Sequence, residues 1–198
     1  MSNRYYEKVH DILHRMVLFF HPVDLSGVEN IPDDQPVVLC ANHSGWMDPV
    51  LLIAVLRRNF SMRIMAKKQL FSIPLVGSFI RNMGGFPVDR GNSDVSAVKT
   101  AIQTLKEGKN LLIFPEGTRV RKPGSVRAKA GAAMIAIRSG VSMLPVYIGR
   151  NQRLFNRVPI RFGKPFFPKY SGRKGTAEEY QANADEVLRR AYELGGMG

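Results

Sequence analysis

Apolar residues recur along this chain with two different periods. Near the N-terminus Tyr5, Tyr6, Val9, Ile12, Leu13, Met16, Val17 and Phe20 return every three or four positions. Arg4, Lys8, His10, Asp11, His14 and Arg15 fill the gaps. That spacing predicts an amphipathic helix with a bulky aromatic and aliphatic face and a largely basic polar face. Pro22 closes it, and residues 27–36 read as a loop. Short apolar runs then follow at 37–41, 62–66, 85–88, 111–114, 143–148 and 159–162, lengths that suit buried strands. Most are separated by segments of helical period. Asp48-Pro49 opens one helix to about residue 58, since proline is tolerated at the first helical position. Residues 94–107 place Val95, Val98, Ile102 and Leu105 on one face and stop at Gly108. A small-residue helix over 128–139 ends at Gly140. The last helix opens on the capping-box spacing Thr176-x-x-Glu179 and buries Tyr180, Ala184, Val187, Leu188 and Ala191. Strands alternating with helices predict an α/β fold: a largely parallel central sheet flanked by helices. We divide the chain into an N-terminal helical element, 1–22, and a body, 23–198.

Charge adds a partner to this picture. Lys and Arg number 29 against 16 Asp and Glu, a net charge of +13, which calls for an anionic counterpart: a membrane surface, an acidic carrier protein or nucleic acid. Nucleic acid is disfavoured, because the basic residues are scattered and no helix-turn-helix, ribonucleoprotein-type strand or zinc module is visible. No apolar run reaches the roughly 18–20 residues that span a bilayer. The N-terminal helix therefore has two readings. It packs on its own domain, or it lies in a bilayer interface with rings at headgroup level and cations over anionic lipid.

Cysteine and histidine usage narrows the chemistry. A single cysteine, Cys40, excludes an internal disulfide and a cysteine-rich zinc site; inside the run 37–41 it reads as a buried, inert thiol in a reducing compartment. Of four histidines, three lie in the first 21 residues. Histidine catalysis in the body must use His43, and a multi-histidine metal site there is excluded.

His43 stands in Asn42-His43-Ser44-Gly45-Trp46-Met47-Asp48, after a strand and before a helix, where α/β folds expose reactive groups. A neutral imidazole can take a proton from an alcohol when a carboxylate fixes its other nitrogen, and His43 and Asp48 could meet across the Gly45 turn. Two plainer readings stay open: Asp48 as a helix N-cap, and His43 as a hydrogen-bonded turn residue. Ser44 is not read as a nucleophile, since it adjoins its base in sequence and no G-x-S-x-G surrounds it. Two further strand-end clusters, Gly84 to Arg90 and Phe114-Pro115-Glu116-Gly117-Thr118-Arg119, combine glycine with arginine. Such loops let backbone and guanidinium approach an oxyanion, although either arginine could equally form a surface ion pair. No Walker-type loop is present, which argues against a nucleoside triphosphate.

Taken in order, Asn42-His43-x4-Asp48, Gly84 to Arg90, Phe114 to Arg119 and Leu144-Pro145-Val146 resemble the four blocks of the glycerolipid acyltransferases, in particular the 1-acylglycerol-3-phosphate (lysophosphatidate) acyltransferases. Lys67-Lys68-x-Leu70-Phe71-x-Ile73-Pro74 and Lys129-Ala130-Gly131 are similar to that family too, so the resemblance runs over residues 37–148. It implies His43 as general base on the acceptor hydroxyl, oriented by Asp48. It implies acceptor binding by Arg90, Glu116, Gly117 and Arg119, with Lys67 and Lys129 nearby. The acyl thioester would be attacked directly, with no metal and no cofactor beyond an acyl carrier protein or coenzyme A thioester as co-substrate. The first twenty residues would then dock a peripheral enzyme on the cytoplasmic face of the cell membrane, on anionic lipid. Alternatives are transfer to another acceptor (glycerol 3-phosphate, another lysophospholipid or a glycolipid) or a non-catalytic basic protein binding lipid or nucleic acid. Val120 stands where the family often has a small polar residue, and nothing after residue 148 matches a block.

Overall fold

A computed structural model of the chain describes residues 4–56, 60, 62–89 and 94–197, with side chains from His10 onward. In chain order the elements are α1 (Arg4–Phe20), β1 (Val23–Ser26), β2 (Val37–Ala41), α2 (Asp48–Val55), β3 (Met62–Lys67), α3 (Val76–Asn82), β4 (Gly85–Val88) and α4 (Val95–Lys106). They continue with β5 (Asn110–Ile113), α5 (Gly131–Ser139), β6 (Ser142–Ile148), β7 (Val158–Phe162) and α6 (Ala177–Glu193). The seven strands form one sheet in the order β1-β7-β6-β2-β5-β3-β4. Strands β6, β2, β5, β3 and β4 are mutually parallel, whereas β7 joins β6 antiparallel and carries β1 with it.

Strand β2 lies at the centre and is buried at all five positions. Successive side chains of a strand face opposite ways. Val37, Leu39 and Ala41 accordingly join the layer beneath α1, α2 and α3, while Val38 and Cys40 join the layer of α4, α5 and α6. Burial pushes the Cys40 thiol well above its ordinary range, which keeps it protonated and unreactive. Helix ends follow local chemistry. The Asp94 side chain caps α4 through Ala97 N–H and also accepts Asp89 N–H, and these bonds hold its carboxyl down at about 2. Gly140 ends α5 in the left-handed region, and Thr176 and Glu179 close a reciprocal capping box on α6. In α6 Tyr180 is only half-buried, with its hydroxyl on the Lys174 carbonyl.

Helix α1 divides its apolar residues between two environments. Val17 is buried and Leu13 packs against the core beside α2, whereas Ile12, Met16, Phe19 and Phe20 stand exposed. Leu13, grouped with the interfacial residues by periodicity alone, thus belongs to the packed side. Two histidines fasten the helix: His10 Nε2 donates to Leu56 O (2.9 Å) and His14 Nδ1 to Ala54 O (2.8 Å). Those carbonyls lie at the end of α2, where intrahelical partners run out. No described helix is long and apolar enough to cross a membrane.

Candidate active site

The site forms where β2 and β5 end side by side. Just past β2, Asn42 anchors its loop by extending the ladder with a side chain: Nδ2 donates to Ile148 O (3.0 Å) and Oδ1 accepts Ile148 N–H (2.7 Å). The loop then turns back around Asp48, which is fully buried. Asp48 Oδ2 accepts Ser44 N–H (2.6 Å), Gly45 N–H (2.8 Å) and His43 Nδ1 (2.8 Å). Its other oxygen accepts Gln152 Nε2 at 2.5 Å. Asp48 is not the N-cap of α2; Met47 holds that position and its side chain makes no capping bond. The carboxylate oxygen accepts, so Nδ1 is the donor of this bond, and in the neutral ring the lone pair lies on Nε2. Gly45 leaves room for the Gln152 side chain: a Cβ there would lie 2.3 Å from Gln152 Oε1 and push that side chain aside. Ser44 Oγ is buried without a hydrogen-bond partner among the described residues, and His43 does not engage it.

The loop after β5 clamps His43 from the other side. The imidazole stacks on Phe114 with centroids 4.2 Å apart. His43 N–H donates to Glu116 Oε2 (2.6 Å), and His43 O accepts Val120 N–H (2.7 Å). Val120, the departure from the family pattern, therefore serves through its backbone. Between them Gly117 adopts φ +65°, the left-handed region that favours glycine, and the Lys129 stem packs over it, 2.6 Å from where a Cβ would lie. Lys129 is itself held by its N–H on Pro115 O (2.8 Å). The Arg119 guanidinium lies 3.6 Å from the ring centroid of Trp46, a residue 70% exposed. This cation–π contact aims the guanidinium over the first loop.

Glu116 corrects the sequence reading. It is 1% exposed, and both carboxylate oxygens are occupied: Oε2 by His43 N–H and Oε1 by the Tyr192 hydroxyl at 2.5 Å. A side chain so enclosed cannot reach an acceptor phosphate. Burial raises its pKa, and the Tyr192 and His43 bonds work the other way. Lys67 is exposed at the last position of β3, in register with Val88 of β4. Arg90 lies outside the described residues. Gln152 and Tyr192 escaped sequence reasoning. Behind Phe114 and Gly117 opens a largely apolar cavity of about 540 Å³, lined by Met65, Val88, Val98 and Ile113 with Lys129 at its wall.

Residues 22–149 match the family model described as Acyltransferase. Over 171 residues the chain is 34% identical to the 1-acyl-sn-glycerol-3-phosphate acyltransferase of Bacillus subtilis, covering 84% of each chain. It is 38% identical to that of Streptococcus pneumoniae over 144 residues, 69% of this chain and 53% of the relative. Its fold is similar to the crystal structure of the 1-acyl-sn-glycerophosphate (LPA) acyltransferase PlsC from Thermotoga maritima. That match has a TM-score of 0.73 at 29% identity and covers 95% of this chain and 78% of the other.

Proposed function

This chain belongs to the acyltransferase family, and on that premise we propose that it moves a fatty acyl group from a thioester to the sn-2 hydroxyl of 1-acylglycerol 3-phosphate, giving phosphatidate. The observation that carries the chemistry is the 2.8 Å contact of His43 Nδ1 with a buried Asp48, which leaves Nε2 as the base. Nε2 takes the hydroxyl proton as that oxygen attacks the thioester carbonyl. The C–O bond forms, the C–S bond breaks, and the leaving thiolate recovers the proton from His43. Asp48 stabilises the transient imidazolium.

Arg119 is the phosphate ligand best supported by geometry, since it is exposed, cationic and held beside the base by the Val120–His43 bond. Arg90, Lys67 and Lys129 are assigned with it, on the resemblance. The apolar cavity behind Phe114 suits a hydrocarbon chain, being within the ordinary volume of a small-molecule site. An acyl carrier protein or coenzyme A thioester is the donor, both anionic and so matched to a net charge of +13. The membrane face is the exposed side of α1, where Phe19 and Phe20 meet Phe155 at centroid distances of 6.3 and 5.9 Å. That face lies on the cytoplasmic leaflet.

An assay of the purified chain with either thioester and a panel of lysophospholipids tests the assignment. Lysophosphatidate should be the preferred acceptor, and Arg119→Ala should raise its KM about tenfold or more through loss of a charge-assisted phosphate contact. Equal use of lysophospholipids lacking a phosphomonoester, by wild type and variant alike, would refute it.

A further inference from the structure

The family match ends at residue 149, but the hydrogen bonds around His43 do not. Glu116 carries His43 N–H on one oxygen and the Tyr192 hydroxyl on the other. Tyr192 belongs to the last turn of α6, 76 residues further along the chain, and is itself buried. Its phenol is pushed up by burial and by Glu116 beside it, so it stays protonated and can only serve this carboxylate as a donor. A carboxylate enclosed in this way tends to take up a proton unless donors compensate its lost hydration. Glu116 has two such donors, and one of them is the amide it holds.

We propose that Tyr192 is a positioning residue for acyl transfer, holding the Glu116 side chain aimed at His43 N–H so that the imidazole stays in register with the acceptor hydroxyl. Both backbone groups of His43 are tied to residues 116–120, and its ring rests on Phe114 from the same loop. Weakening the Glu116 tie therefore frees the base at its root. The charged and titratable groups around Glu116 are His43 and Asp48 from the first loop, Tyr192 from α6, and Lys129, whose stem crosses Gly117. Tyr147 and Arg150 flank Tyr192. The inference rests on His43 being the base.

Tyr192→Phe removes one hydroxyl and keeps the ring, and should be assayed in detergent-dispersed substrate over a range of pH, with melting followed in parallel. We expect kcat to fall roughly tenfold with KM for lysophosphatidate nearly unchanged, since small misplacement of a reacting group costs up to about 10²-fold. The acidic limb of kcat should move to higher pH, because Glu116 without this donor protonates more readily. Adding Tyr192→Phe to Glu116→Gln should move that limb no further. Unchanged kcat and limb in Tyr192→Phe, or an equal loss in both backgrounds with the limb fixed, would overturn the proposal and leave Tyr192 a packing residue. His43→Ala separates the two levels: if it is inactive, such a result defeats the Tyr192 inference alone, and if it is active, the base assignment falls instead.

Discussion

Asp48 and Glu116 are two buried carboxylates that grip the same histidine, one by its ring and one by its backbone. Asp48 is embedded in four donors, three of them within five residues of it. Glu116 has two, from residues 73 and 76 positions away. Asp48 is thus a locally assembled anion, compensated by the turn it organises. Glu116 is assembled only when β2, β5 and α6 have all come together, and burial leaves its carboxyl raised. The difference separates a carboxylate held mainly by its own turn from one that depends on the completed fold.

The hardest way to break this comparison is at the base. His43→Ala should lose at least the ~10²–10⁴-fold expected of a general base while remaining folded. Asp48→Asn should be severely impaired as well, because an amide cannot anchor the imidazolium. Turnover by purified His43→Ala near the wild-type rate would dissolve the distinction altogether.

A smaller effect is expected at the outer oxygen of Asp48. Gln152→Leu leaves that oxygen buried without its donor, at a cost of about 1–3 kcal/mol in stability, and should lower kcat more than it raises KM. Gly45→Ala should behave alike, since the new methyl displaces the same Gln152 side chain. The double variant should then fall well short of additivity, as coupled neighbours do. Denaturant melts and kcat for the three variants decide it; strict additivity would mean that the two residues act separately.

The mildest prediction concerns stability at Glu116. Its pKa is raised on folding, so between the ordinary glutamate range and the raised value the native state holds the extra proton. Stability from this group is complete below that window and is lost as pH rises through it. Glu116→Gln keeps an acceptor for His43 N–H and a donor toward the tyrosine oxygen without the charge. It should melt at or above wild type at neutral pH, with the gap opening as pH rises from the acidic side, while turning over more slowly. A gap that closes with rising pH would reverse the sign of the argument.

The same contrast explains what could be read from the chain before its structure. Five of the six strands read from apolar runs join the parallel array, and the sixth, β7, adds to it in reverse. Strand β1 went unread because three of its four residues are exposed, leaving no buried run to notice. Helix α3 has seven residues and no side-chain cap, so it lacked both a period and a start signal. The His43–Asp48 pair was legible because the partners are five residues apart on one turn. Gln152 reaches Asp48 across 104 residues, with no spacing that marks it. Glu116 was assigned to the acceptor on the resemblance alone; its burial depends in part on Tyr192 of α6, a partner 76 residues away that no local spacing announces.

The stack of Arg119 on Trp46 gives the molecule an optical property. This chain contains one tryptophan, so its indole emission comes from a single place, the lip of the site, with a guanidinium lying on the ring. On the proposed role of Arg119 as phosphate ligand, acceptor binding should change the emission of the indole on which the cation rests. A fluorescence titration with lysophosphatidate would read that change with no label and no turnover.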